Sequence, residues 1–217
     1  SSLAVLIKNP AWRLIDALKT LRDPSGKILI KNWYNEVKPL SNEDIKILKS
    51  FPFNEVEFKK EFGIKQFLGN KKGLVIKKSL AAEPTCNIAG IVSGYHAEGA
   101  KTVIPAEARV KIDFRLVPNM DPKKQEIRLR KHLKSNGFGD IKIKVYHGEA
   151  AARTDSKHPF VSHVTSAASE SFGKYILSVS SAGTGPMHSF TKILNAPAIA
   201  IGSTHVFSRI HSPNEYT

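Results

Sequence analysis

The sequence predicts an α+β domain followed by a shorter α/β segment, and three observations carry that reading. Residues 109–116 alternate strictly between charged and apolar side chains, as a strand does with one face in a core and one in water. Two stretches place a proline at the first helical position behind a capping side chain, Asn9-Pro10 and Asp121-Pro122. Beyond about Ala150 the polar alternation gives way to short apolar runs with a helix between them, the pattern of buried parallel strands.

The elements follow in order. The helix behind Asn9-Pro10 carries Ala11, Trp12, Leu14, Ile15, Leu18 and Leu21 on its apolar face, and Asp23-Pro-Ser-Gly26 ends it as a turn. Residues 27–82 read as a charged insertion with two short helices, capped at Ser41-x-x-Asp44 and Asn54-x-x-Glu57; Gly63 closes the second. Thr85 to Ile91 is a strand, Gly94 and Gly99 mark a turn, and Val110, Ile112, Phe114 and Leu116 form the buried face of the next strand. A helix then runs from Pro122 to about Asn136 and stops at Gly137. Ile141, Ile143 and Val145 alternate with lysines as a third strand. This order fits an antiparallel sheet covered on one face by two helices.

Residues 1–152 form this first domain, with the boundary near Ala151–Ser156. In residues 153–217 a helix spans Pro159 to Phe172, and strands are predicted at Ile176–Ser180 and Ala196–Ile201. A loop, Ser181-Ala-Gly-Thr-Gly-Pro186, and a helix from Met187 to Leu194 lie between those strands, making a βαβ unit.

Composition narrows the function. A single cysteine, Cys86, excludes an internal disulfide and a multi-cysteine zinc site, and fits a cytoplasmic protein. No apolar run approaches the roughly 20 residues that cross a bilayer, so no membrane partner is expected. Net charge is +14, but the basic residues are dispersed and lack interleaved aromatics, so they read as solvated faces and no nucleic-acid partner is expected.

Three places could carry chemistry. Gly183-Thr-Gly185 precedes a predicted helix, where backbone N–H groups suit a carboxylate or oxyanion; a tight turn is the plainer reading. His211 follows the apolar run ending at Ile201, and imidazole is the commonest protein metal ligand. Its loop and the Gly183 loop should share a crevice beyond the carboxyl ends of the strands. Arg115 lies on the polar strand face, where it either pairs with Asp113 or Glu107 or clamps a carboxylate.

At these residues the chain resembles the co-catalytic metallopeptidase and deacylase family of carnosinase, glutamate carboxypeptidase, acetylornithine deacetylase and succinyl-diaminopimelate desuccinylase. The matching stretches are Pro84-Thr-Cys-Asn-Ile-Ala-Gly-Ile91, Gly99-Ala-Lys-Thr-Val-Ile-Pro105 and Asp113-Phe-Arg-Leu-Val-Pro-Asn119, with Asn9-Pro10 at the start. They look like the ferredoxin-like lid, or dimerisation, domain. Ser156-Lys-His-Pro159, Gly183-Thr184 and His211-Ser-Pro-Asn-Glu215 look like the carboxy-terminal part of the catalytic domain.

The resemblance implies hydrolysis of an amide bond in peptides or N-acyl amino acids by a water activated by two divalent metal ions, zinc being expected, in a homodimer paired through its lids. By position, His211 looks like a metal ligand, Gly183 and Thr184 like the backbone that binds the substrate's carboxylate end, Arg115 like its clamp and Thr102 like a smaller polar contact. Family members carry a lid histidine where this chain has Ala89; Asn87 or His96 are the candidates to substitute for it. No His-x-Asp and no adjacent Glu-Glu pair occurs, so no catalytic residue is assigned here. The chain is expected to be a fragment, metal-free and inactive alone. Two other readings are a basic α+β module binding RNA or another polyanion, and a dimerisation module without a ligand.

Overall fold

The computed structural model describes residues 2–181, 183, 185–202, 207–208 and 213–215. The chain forms two units: Ser1–Lys38 with Glu83–Ala151, and Pro39–Ala82 with Ala152–Thr217. The first unit is α+β. Its elements are α1 (Pro10–Lys19), β1 (Thr85–Ser93), β2 (Ala108–Arg115) and α5 (Pro122–Ser135). The second holds α2 (Asn42–Ser50), α3 (Glu55–Glu61), α4 (Leu74–Ala82), α6 (Pro159–Phe172) and a π-helical turn at Ser189–Ile193. No described helix is long and apolar enough to cross a membrane.

In the first unit, Asn9 Oδ1 accepts the N–H of Ala11 at 2.8 Å and Pro10 opens α1. Trp12, expected inside, is 64% exposed; the buried stripe runs through Leu14, Ala17 and Leu21. β1 and β2 pair antiparallel, with Cys86 opposite Phe114 and Ile88 opposite Ile112 on the inner face. A bulge follows, so Ala89 has no partner in the register and Gly90 faces Lys111. An extra residue at a bulge reverses the alternation beyond it, which keeps Ile91 opposite Val110 on the same face. Asp121 accepts the N–H of Lys124 at 2.9 Å to start α5. Gly137 ends that helix with φ 81°, in the left-handed region that glycine enters without a Cβ clash.

One core joins α1, α5 and the inner sheet face: Ala17, Leu21, Leu133, Cys86 and Met120, with Ile112 and Phe114 packed against them. Ile28, Ile30 and Trp33 complete it, and Trp33 stacks on Phe114 with ring centroids 4.9 Å apart. Residues 27–38 therefore belong to this core, whereas 39–82 belong to the second unit.

The predicted third strand is absent: residues 141–145 form no ladder. Ile141 and Ile143 still pack on the core. The alternation reported which side chains turn inward, and it carries no information on whether a neighbouring backbone lies within hydrogen-bonding reach.

In the second unit, Ser41 and Asp44 form a reciprocal capping box on α2. Asn54 Oδ1 accepts the N–H groups of Val56 and Glu57. Helix α4 was not anticipated, because its start lacks a capping side chain. The predicted βαβ unit is not present among the described residues. Ile176–Ser180 and Ala196–Ile201 are irregular, and Met187–Leu194 contributes only the short π-helical turn. Ile176 is 66% and Ile201 75% exposed. Pro197 has no N–H to give a ladder. Ala198 exchanges both of its backbone hydrogen bonds with the Thr154 hydroxyl instead.

Candidate functional site

The outer face of the β1–β2 pair gathers two of the candidate residues. Residues directly opposite in an antiparallel pair share a face. Thr85 lies opposite Arg115 and Asn87 opposite Asp113. All four are exposed. Nε of Arg115 donates to Oδ2 of Asp113 at 3.0 Å.

The backbone beneath Arg115 is well supported. Phe114 and Leu116, on either side of it, pack against the core. Asn119 then turns the chain at φ 76°, and the N–H of Met120 donates to the carbonyl of Val117 at 3.1 Å. Short polar side chains enter the left-handed region more readily than branched ones. The guanidinium thus projects from a rigid strand end, the setting in which a planar fork can meet a carboxylate in a defined direction.

Thr102 is exposed in the irregular stretch between the strands. No strand forms at Lys101–Ile104. The preceding loop is closed by the Tyr95 hydroxyl, which donates to the carbonyl of Glu98 at 2.8 Å, and by Lys101 Nζ over the Tyr95 ring. His96 is exposed, its Nδ1 3.2 Å from the carbonyl oxygen of Gly94.

In the second unit, Gly183 is exposed and its N–H donates to Oγ of Ser181 at 3.1 Å. The π-helical turn after the loop, Ser189–Ile193, has five residues. Thr184 and His211 lie outside the described residues. Among the described residues, no group of three or more His, Cys, Asp or Glu side chains is placed to hold a metal ion. His188 Nδ1 is buried without a hydrogen-bond partner among the described residues. Nothing in the sequence around His188 resembles a ligand spacing, so this feature had no signal before the structure.

Cys86 is inert chemically. Burial pushes its thiol up to about 11, with Arg22 opposing weakly. A thiol that stays protonated at neutral pH is a poor nucleophile.

Residues 1–140 match the family model M20_dimer, described as a peptidase dimerisation domain. The chain is 31% identical over 153 residues to the Cys-Gly metallodipeptidase DUG1 of Saccharomyces cerevisiae, covering 70% of this chain and 30% of that protein. It is 32% identical over 128 residues to the human Beta-Ala-His dipeptidase, covering 59% of this chain and 25% of that one. Among solved structures, the M20 family metallo-carboxypeptidase Sso-CP2 of Sulfolobus solfataricus matches with TM-score 0.84 and 36% identity, over 90% of this chain and 50% of that chain. The dipeptidase Dug1p of Saccharomyces cerevisiae matches with TM-score 0.82 and 27% identity, over 99% of this chain and 46% of that chain. The chain spans about half the length of these solved structures and less than a third of the curated relatives.

Proposed function

The chain belongs to the M20 peptidase dimerisation-domain family, and on that premise we propose that it serves a metal-dependent hydrolase that cleaves the amide bond of peptides or N-acyl amino acids. The lid falls within residues 1–152, interrupted by the insertion whose residues 39–82 belong to the second unit, and residues 153–217 are a carboxy-terminal portion of the catalytic domain. Arg115 clamps the carboxylate end of the substrate by charge-assisted hydrogen bonds. Asn87 and Thr102 add polar contacts from the lid, and the backbone at Gly183 and Thr184 binds the same end of the substrate. His211 is one metal ligand; the general-base glutamate and the other ligands come from residues outside this chain. The metals are two divalent ions, zinc in this reading. The enzyme works as a homodimer through its lids, in the cytoplasm.

The observation that carries this reading is the exposed Arg115 on a rigid strand end, with Asn87 on the same face, within a matched lid sequence. The names of the relatives point the same way, since they are dipeptidases and a carboxypeptidase. A polyanion-binding module draws no support from Arg13, Arg109, Arg128 and Arg130, because each is engaged by a carboxylate.

The test is hydrolysis of Cys-Gly and β-Ala-His by the complete polypeptide that carries this chain, with and without a chelator. Activity abolished by chelation and restored by a divalent cation is expected. Cleavage indifferent to chelation, or no cleavage of any dipeptide or N-acyl amino acid, contradicts the proposal.

A further inference from the structure

Arg115 does not stand alone on its strand. Asp113, two residues earlier, projects from the same face and accepts its Nε–H at 3.0 Å. The side chains are 51% and 48% exposed. An ion pair this exposed contributes little to folding. Its consequence is geometric: Asp113 holds the Nε end of a long, flexible side chain, which narrows the directions the guanidinium can face.

Asp113 is itself well placed for that task. It lies between Ile112 and Phe114, which both pack against the core, and opposite Asn87 in the register. Its carboxylate has the same charge as the substrate end it would neighbour, so it does not bind that end directly. Repulsion between two solvent-exposed carboxylates is weak in high dielectric. Ordering a rotamer-rich side chain before binding acts in the opposite sense, towards tighter binding.

We propose that Asp113 is a positioning residue for substrate binding, holding Arg115 through Nε so that the guanidinium meets the substrate's terminal carboxylate in one fixed orientation. This rests on the reading of Arg115 as the carboxylate clamp. It predicts a change in affinity without a change in chemistry.

The experiment compares Asp113→Ala, Asp113→Asn and Arg115→Ala in the complete polypeptide, on a dipeptide and on the same dipeptide with an amidated carboxyl end. Asp113→Ala should raise KM for the dipeptide about 3- to 10-fold, with kcat within about twofold and no change on the amide. Asp113→Asn keeps an acceptor oxygen for Nε–H and should stay within about twofold of the parent KM. In nitrogen-resolved NMR spectra of the 217-residue chain, the Arg115 Nε–H should exchange faster in Asp113→Ala than in the parent or Asp113→Asn. If Arg115→Ala raises KM and Asp113→Ala does not, Asp113 has no positioning role and the clamp stands. If Arg115→Ala leaves KM unchanged, the clamp reading fails and this inference fails with it. A fall in kcat and in melting temperature at constant KM for Asp113→Ala would also overturn it, as the sign of a merely structural residue.

Discussion

Arg13 and Asp140 show what one pair of side chains does for the first unit. Arg13 on α1 donates through Nε to Asp140 Oδ2 at 2.8 Å and through Nη2 to Asp140 Oδ1 and to the carbonyl of Gly137. The same guanidinium lies over the Phe138 ring, 5.0 Å from its centroid. The hydrogen bond from Arg13 holds the Asp140 carboxyl down to about 2 from its usual 3.8. A carboxyl depressed in the folded state adds stability above its unfolded value, and that stability is lost as pH falls through the folded one. Asp140→Asn should therefore melt lower than the parent at about pH 7, with the gap closing as pH falls from about 4 towards 2. Circular-dichroism melts across that range check it; a gap that ignores pH would contradict it. None of this pairing was legible in the sequence, because residues 127 positions apart meet only once the fold exists. Arg115 was legible as an outward residue, since strand alternation is local, and pairing with Asp113 was one of the alternatives that the sequence left open for it. For Thr184 and His211 the structure adds nothing beyond their place in the sequence, since both lie outside the described residues.

Elements divide by the range of the interactions that make them. Helices α1, α2, α3 and α5 were readable because each starts with a side chain that accepts N–H groups from its own first turn. The three predicted strands at 141–145, 176–180 and 196–201 were not formed, because a ladder needs a distant partner that a local pattern cannot report. Helix α2 also shows a local cap recruited for a long-range purpose. Asp44, 2% exposed, completes the capping box on Ser41 and accepts from the Ser156 hydroxyl at 2.6 Å, with Arg153 at 3.4 Å. Burial pushes its carboxyl up, but the hydrogen bonds from Ser156 and Ser41 outweigh that and leave it below the usual value. Ser41→Ala removes one cap and should cost about 1 kcal/mol. Asp44→Ala removes the acceptor of the Ser41 N–H and strands Ser156 and Arg153, so it should cost more, about 2–4 kcal/mol. Denaturant unfolding of the two variants checks the order; equal losses would mean that the contacts to residues 153–156 contribute nothing.

At the scale of the whole molecule, the two units differ in how much apolar surface their described residues hide. The first packs eight buried residues into one cluster. The second has a smaller cluster of Leu48, Ala81 and Val179, while Phe172, Tyr175, Ile176, Ile193, Leu194 and Ile201 stay exposed. Regions with few buried apolar contacts open most readily. In hydrogen exchange, residues 175–181 and 185–201 should exchange well before α5 and the β1–β2 pair; equal protection would contradict this. The charge of +14 and the scattered lysines are legible from composition, but composition does not reveal which surface meets a substrate. That question centres on Arg115, and one measurement addresses it most directly. In the complete polypeptide, catalytic efficiency is compared for a dipeptide and its carboxyl-amidated form, in the parent and in Arg115→Ala. The parent should prefer the free carboxylate, and Arg115→Ala should lose about 1.5–3 kcal/mol on the dipeptide while leaving the amide and the melting temperature nearly unchanged. An undiminished preference for the free carboxylate in Arg115→Ala would show that the substrate is held elsewhere and contradict the account.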